Sequence, residues 1–182
     1  MVAIRGGRIV RCSRLIAAMA LGAAIVTMTP GGATAVGTLD RIEERLLAAH
    51  NLERTELSVP PLRWNRRLAA DAERWARVLA ETNVLAHASD TRRQGENLWA
   101  GSSGVYSPED MVGLWAAEKS NYQEGIFPAN SRTGDLADVG HYTQIIWADT
   151  REVGCAIARG EFADFLVCRY ANGGNVLGES PV

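Results

Sequence analysis

Lysine is almost missing from this sequence: of 19 basic residues in a chain of 182, only Lys119 is a lysine. The arginine bias reflects coding composition more than chemistry. The 21 acids outnumber the basic residues, and no basic stripe runs through the chain. A nucleic-acid partner is therefore not expected, and charge alone would not hold the chain to anionic lipid. No phosphate-binding or dinucleotide-binding glycine loop occurs, no GxSxG and no HExxH. The local signatures of several enzyme classes are thus absent. There is no internal repeat and no low-complexity linker. Cysteine and histidine are both scarce, at three residues each. The apolar, charge-free run over residues 15–28 is too short to span a bilayer comfortably.

That run has the makings of an export signal. Arg5, Arg8, Arg11 and Arg14 precede it, Pro30-Gly31-Gly32 breaks it, and Ala33-Thr34-Ala35 offers a cleavage site of small residues. The expectation is a signal peptide over 1–35, an extracellular chain and a single domain over 36–182; an uncleaved anchor is the rival. Without the leader the 21 acids outnumber the 15 remaining basic residues by six. Cys12 leaves with the leader, so an even pair, Cys155 and Cys168, would enter an oxidising compartment, where a disulfide is the expected state.

Along the mature chain, Leu39, Ile42, Leu46 and Ala49 recur at helical spacing, which predicts a helix over about 39–55. Asn65 is placed to cap a second helix, with Leu68, Ala72, Trp75 and Leu79 as its apolar stripe. Residues 83–107 read as irregular. Ser107-Pro108-Glu109-Asp110 is a strong start for a third helix, running to about Ser120. A long loop over 121–140 leads to a short helix at 141–147. Residues 152–170 alternate as an antiparallel hairpin, in which Cys155 and Cys168 would staple the two strands. Helices followed by a hairpin give an α+β class.

Few residues advertise chemistry. Glu118 stands with Met111 and Trp115 on an apolar stripe, where a carboxylate needs a partner; a structural pairing and a functional role both remain open. His50 lies near the apolar face of the first helix and reads as structural. His87 follows a helix end, His141 opens the short helix, and Glu96 sits in Gly95-Glu96-Asn97. Two histidines and a carboxylate suit zinc, but no local spacing joins them.

Read together, these pieces resemble the CAP superfamily of cysteine-rich secretory, antigen 5 and pathogenesis-related 1 type proteins. Residues 140–155, GHYTQIIWADTREVGC, resemble its first signature along their whole length, and 165–170, FLVCRY, then Gly174-Asn175, resemble the second. Ala49-His50-Asn51, Pro60-Pro61-Leu62, Trp64, Trp75-Ala76, His87 and Gly95-Glu96-Asn97 fall in the family's order. The resemblance implies a three-layer α-β-α sandwich with an antiparallel central sheet. It also implies a cleft tetrad of His87, Glu96, Glu118 and His141, whose histidines can hold a divalent metal, often zinc.

Two functions follow from the resemblance. The first is a secreted binding module for a sterol or other lipid, in defence or host–microbe contact, with Tyr122, Ile126 and Phe127 of the long loop as ligand-facing residues; packing the loop down is the other use for these side chains. The second is a zinc-dependent hydrolase or protease in the same cleft, with Glu96 or Glu118 as general base.

Overall fold

The structure, a computed structural model, describes residues 34–182 apart from 90 and 92, with side chains from Arg41 onward. The expected leader lies outside the described residues except for Thr34 and Ala35, which open the first helix. The elements in chain order are α1 (Thr34–Glu56), β1 (Arg63–Trp64), α2 (Arg66–Thr82), β2 (Gly95–Ser102), α3 (Pro108–Ala116), α4 (Gly140–Ile146), β3 (Glu152–Arg159) and β4 (Ala163–Ala171). A 3₁₀ turn, Ala117–Ser120, continues α3. No helix among the described residues is long and apolar enough to cross a membrane.

Local signals in the sequence explain most of the boundaries. The Asn65 side chain accepts from the amides of Arg67 and Leu68 and so starts α2. Ser107 and Asp110 form a reciprocal capping box with Pro108 just inside α3. Asn83, in the left-handed conformation at φ 51°, ends α2. β2 corrects the irregular reading of 83–107: Gly95–Ser102 pairs antiparallel with β4 over its whole length. Its glycines, Asn97 and Ala100 are poor strand formers, so tertiary pairing, not propensity, makes this strand.

The sheet order is β1-β3-β4-β2. Its three long strands are antiparallel; the two-residue β1 joins β3 in parallel. One face packs Leu98, Phe165 and Val167 against Ala72, Ala76 and Leu79 of α2. The opposite face packs Val153, Cys155, Leu166 and Tyr170 against Leu46 of α1, Met111 and Trp115 of α3, and Tyr142 and Ile145 of α4. The architecture is therefore a three-layer α-β-α sandwich of α+β class. At Gly154 a Cβ would meet the Ala69 nitrogen at 2.2 Å and the Asn65 oxygen at 2.5 Å, so only glycine lets the start of α2 dock on β3.

Cys155 and Cys168 stand directly opposite each other in β3 and β4 and form a disulfide. Closing a loop of this length contributes about 3 kcal/mol in the chain-entropy model. The expected staple is present, buried on the α1 face.

Candidate functional site

Edge strand β2 carries the site because successive side chains point to opposite faces of the sheet. Glu96 shares a face with Leu98 and lies on the α2 side; Asn97 lies on the α4 side. Each supports one histidine.

His87 follows α2. Its Nδ1 lies 2.6 Å from Glu96 Oε1, which also accepts from the Ala88 amide at 3.0 Å. The other carboxylate oxygen, Oε2, is 2.8 Å from Nη2 of Arg169. The Glu96 side chain is 3% exposed and the His87 ring 65% exposed, so a buried carboxylate holds a ring that faces solvent.

His141 lies in the first turn of α4, a helix that has no side-chain cap of its own at Val139. Glu118 fills that role from the 3₁₀ turn after α3. Its Oε2 accepts from the amides of His141 at 2.9 Å and Tyr142 at 3.1 Å, and its Oε1 lies 2.6 Å from His141 Nδ1. One carboxylate thus satisfies two orphan amides, sits at the positive end of the helix and orients the imidazole. Trp115 stacks on the same ring, with centroids 5.8 Å apart and planes 13° from parallel. Asn97 Nδ2 donates to the His141 carbonyl and to the Tyr170 hydroxyl, both at 3.1 Å.

The four tetrad residues are therefore two imidazole–carboxylate pairs. Among the described residues, no three of them bring donor atoms within 4.8 Å of one another. A carboxylate can only accept, so both Nδ1 atoms carry the proton and each neutral ring presents its lone pair at Nε2. That is the arrangement of zinc-ligating histidines, so the donor set fits the metal: His87 and His141 as ligands, Glu96 and Glu118 behind them. Among the described residues, the one trio of donors that does lie within 4.8 Å is His50, Cys155 and Cys168. Its sulfurs are bonded to each other, so it is core, not a metal centre.

His50 confirms the structural reading. Its Nδ1 donates to the Leu46 carbonyl at 2.7 Å and its Nε2 accepts from the Tyr170 hydroxyl at 2.8 Å. Desolvation by complete burial lowers its pKa from 6.5 to about 4. Between those values an unfolded chain binds a proton that the folded one refuses. Stability should therefore fall as pH drops from 6.5 to 4, by about 3 kcal/mol in all from this group. Urea unfolding of wild type and His50→Gln at pH 7 and pH 4.5 measures it: the variant should show the smaller loss, and equal losses would contradict the assignment.

The loop residues fall differently. Tyr122 is buried against Tyr142, and Phe127 is buried against Trp147, with its amide donating to the Glu179 carbonyl. Only Ile126, 52% exposed, faces outward. An apolar groove lies instead between α1 and α3, about 560 Å³ in volume, floored by Ala48, Ala49, Val112, Gly113 and Ala116 and flanked by exposed Leu52. Sequence reasoning missed it. The signal was the small residues that recur on facing sides of two helices.

A three-layer sandwich with two histidine–glutamate pairs across its edge strand defines the class of molecule. The chain belongs to the CAP family, the cysteine-rich secretory protein family, whose model matches residues 47–170. Pathogenesis-related protein 1C of Nicotiana tabacum is 36% identical over 141 residues, 76% of this chain and 80% of that protein. Venom allergen 5 of Vespa mandarinia is 35% identical over 132 residues, 69% of this chain and 62% of that protein. The crystal structure of NaASP2 with Zn2+ has the same fold, at a TM-score of 0.65 and 21% identity over 76% of this chain and 83% of that one.

Proposed function

We propose that this is an extracellular, defence-type binding protein that takes up a sterol or other lipid and holds a divalent metal, zinc, through His87 and His141. The observation that carries binding over hydrolysis is the engagement of both carboxylates. Glu96 is held by His87, Ala88 and Arg169, and Glu118 by His141 and two helix amides. Neither is placed as a spare base for a water; both are braces that fix an imidazole. The zinc in the NaASP2 crystal structure and the pathogenesis-related and venom-allergen names of the relatives support the same reading.

For the apolar ligand, the α1–α3 groove offers what the buried loop aromatics do not. Its volume lies in the range of small-molecule sites, and its walls are apolar with charged residues at the rim. Arg45 and Glu109 pair across it, and Lys119 bonds Glu53 at 3.1 Å at one end.

The test has two arms. Zinc titrated calorimetrically should bind wild type, and binding should weaken at least about tenfold in His87→Ala, which removes a ligand. Unchanged affinity would remove the metal from the proposal. In the second arm, uptake of a fluorescent fatty acid or sterol should fall about tenfold in Gly113→Leu. A Cβ there meets nothing within 4 Å, so the side chain fills the groove, and leucine also suits a helix better than glycine. Uptake that ignores Gly113→Leu but falls in Ile126→Ala would return the ligand to the 121–140 loop.

A further inference from the structure

The two histidine braces are anchored by different means. Glu118 is held by backbone amides of α4, which no side-chain change removes. Glu96 has one backbone amide, that of Ala88, on Oε1, but its other oxygen depends on a side chain. In the β2–β4 register Glu96 stands directly opposite Arg169, so the two project from neighbouring strands on the same face. Both are nearly sealed, at 3% and 4% side-chain exposure, and Glu96 Oε2 has no hydrogen-bond partner of good geometry apart from this ion pair. The guanidinium is steadied in turn: Nη1 donates to Gln94 Oε1 at 3.3 Å, and Gln94 Nε2 donates to Asp71 Oδ2 of α2, also at 3.3 Å.

We infer that Arg169 is the positioning residue of the His87 half of the site: its guanidinium holds Glu96 in the buried orientation that keeps the proton on His87 Nδ1 and the lone pair on Nε2. A buried carboxylate deprived of its cation is strongly destabilised, because its charge is left uncompensated. Without Arg169, the Glu96 carboxylate turns toward solvent and the exposed His87 ring loses its carboxylate brace. His141, braced from the other face by Glu118, keeps its own orientation. The effect of Arg169 is therefore confined to one of two chemically alike histidines. The inference deepens the metal reading given above, and its first readout does not need the metal.

That readout is the imidazole tautomer, seen by long-range ¹H–¹⁵N correlation in metal-free protein at pH 8. Wild type should show His87 and His141 both protonated at Nδ1. In Arg169→Met, His87 should revert to the Nε2–H form that a free imidazole prefers, while His141 stays unchanged. Zinc affinity should fall about 10–100-fold in the same variant, the usual loss when an outer carboxylate brace is removed. Arg169→Lys keeps the charge but not the planar fork that reaches both Glu96 and Gln94, so it should move His87 part of the way. Should Arg169→Met not fold, the lysine variant decides. A His87 tautomer that does not move in the folded variants, or a His141 tautomer that moves with it, overturns the inference. Absence of zinc binding by wild type would sink the metal reading alone and leave the tautomer result to judge Arg169.

Discussion

Arg54→Met should be the most damaging single substitution in the domain, lowering unfolding free energy by about 4 kcal/mol. Arg54 is fully buried, and among the described residues it has no salt bridge to a carboxylate. It bonds to backbone carbonyls instead: Nε to Pro60 at 2.8 Å, Nη1 to Ile145 and Trp147 at 2.8 and 2.9 Å, and Nη2 to Thr150 at 2.9 Å. Two of these carbonyls lie at the C-terminal end of α4, where a cation also meets the negative end of the helix dipole. Burial, together with nearby Arg151, lowers the arginine's pKa to about 10, so it remains charged at neutral pH. Methionine fills much of the volume but leaves the buried carbonyls of Ile145 and Thr150 unpaired, each worth about 1–3 kcal/mol when stranded; the Trp147 carbonyl keeps the Thr150 amide, and Pro60 is exposed to water. Relief from burying a charge offsets part of that sum. Chemical denaturation would measure the loss. A change below about 1 kcal/mol would mean that water takes the guanidinium's place.

Arg54 also marks the boundary of what the sequence discloses. Its partners lie 91 to 96 residues away, apart from Pro60, and nothing local shows a buried arginine on α1. Features set by neighbouring residues were readable: the Asn65 cap, the Ser107–Asp110 box, and the hairpin whose register brings Cys155 opposite Cys168. β2 was not, because its strand character comes from β4 and not from its own residues. Glu118 could be marked as a misplaced carboxylate, but its use as a cap on a helix that begins 22 residues later depends on the tertiary fold. Only the resemblance to a family joined the tetrad, since its four members come from four segments. Arg169 was hidden inside a signature that had already been assigned to the strand. Tyr122 and Phe127 show the converse: aromatics in a long loop signal burial as readily as a ligand surface, and here they are packed.

The double variant Glu96→Gln/Glu118→Gln should weaken zinc binding by about 10²–10⁴-fold while leaving the fold intact, taking each brace at about 10–100-fold and the two as independent. The reason is which way each new amide must turn. At position 118 the oxygen has to face the two α4 amides, so the NH₂ is turned toward His141 Nδ1. At position 96 the charged Arg169 guanidinium is the stronger donor and takes the oxygen, so the NH₂ is turned toward the Ala88 amide and His87 Nδ1. A donor cannot face a donor, so each imidazole moves its proton to Nε2 and gives up the lone pair a metal would take. A wrong tautomer held in good geometry is costly in the same way when an asparagine replaces the aspartate of a serine-protease triad. The stability loss should be about 3 kcal/mol, chiefly because the sealed Arg169 guanidinium loses its counter-charge, with a smaller part from removing charge at the start of α4. Calorimetry and denaturation on one preparation separate the two quantities. A zinc hydrolase with Glu96 or Glu118 as its base predicts the opposite pairing: metal uptake close to wild type, with turnover on peptide or ester substrates reduced about 10²–10⁴-fold. That second outcome would overturn the binding reading, because the carboxylates would then act on substrate water and not on the histidines they touch.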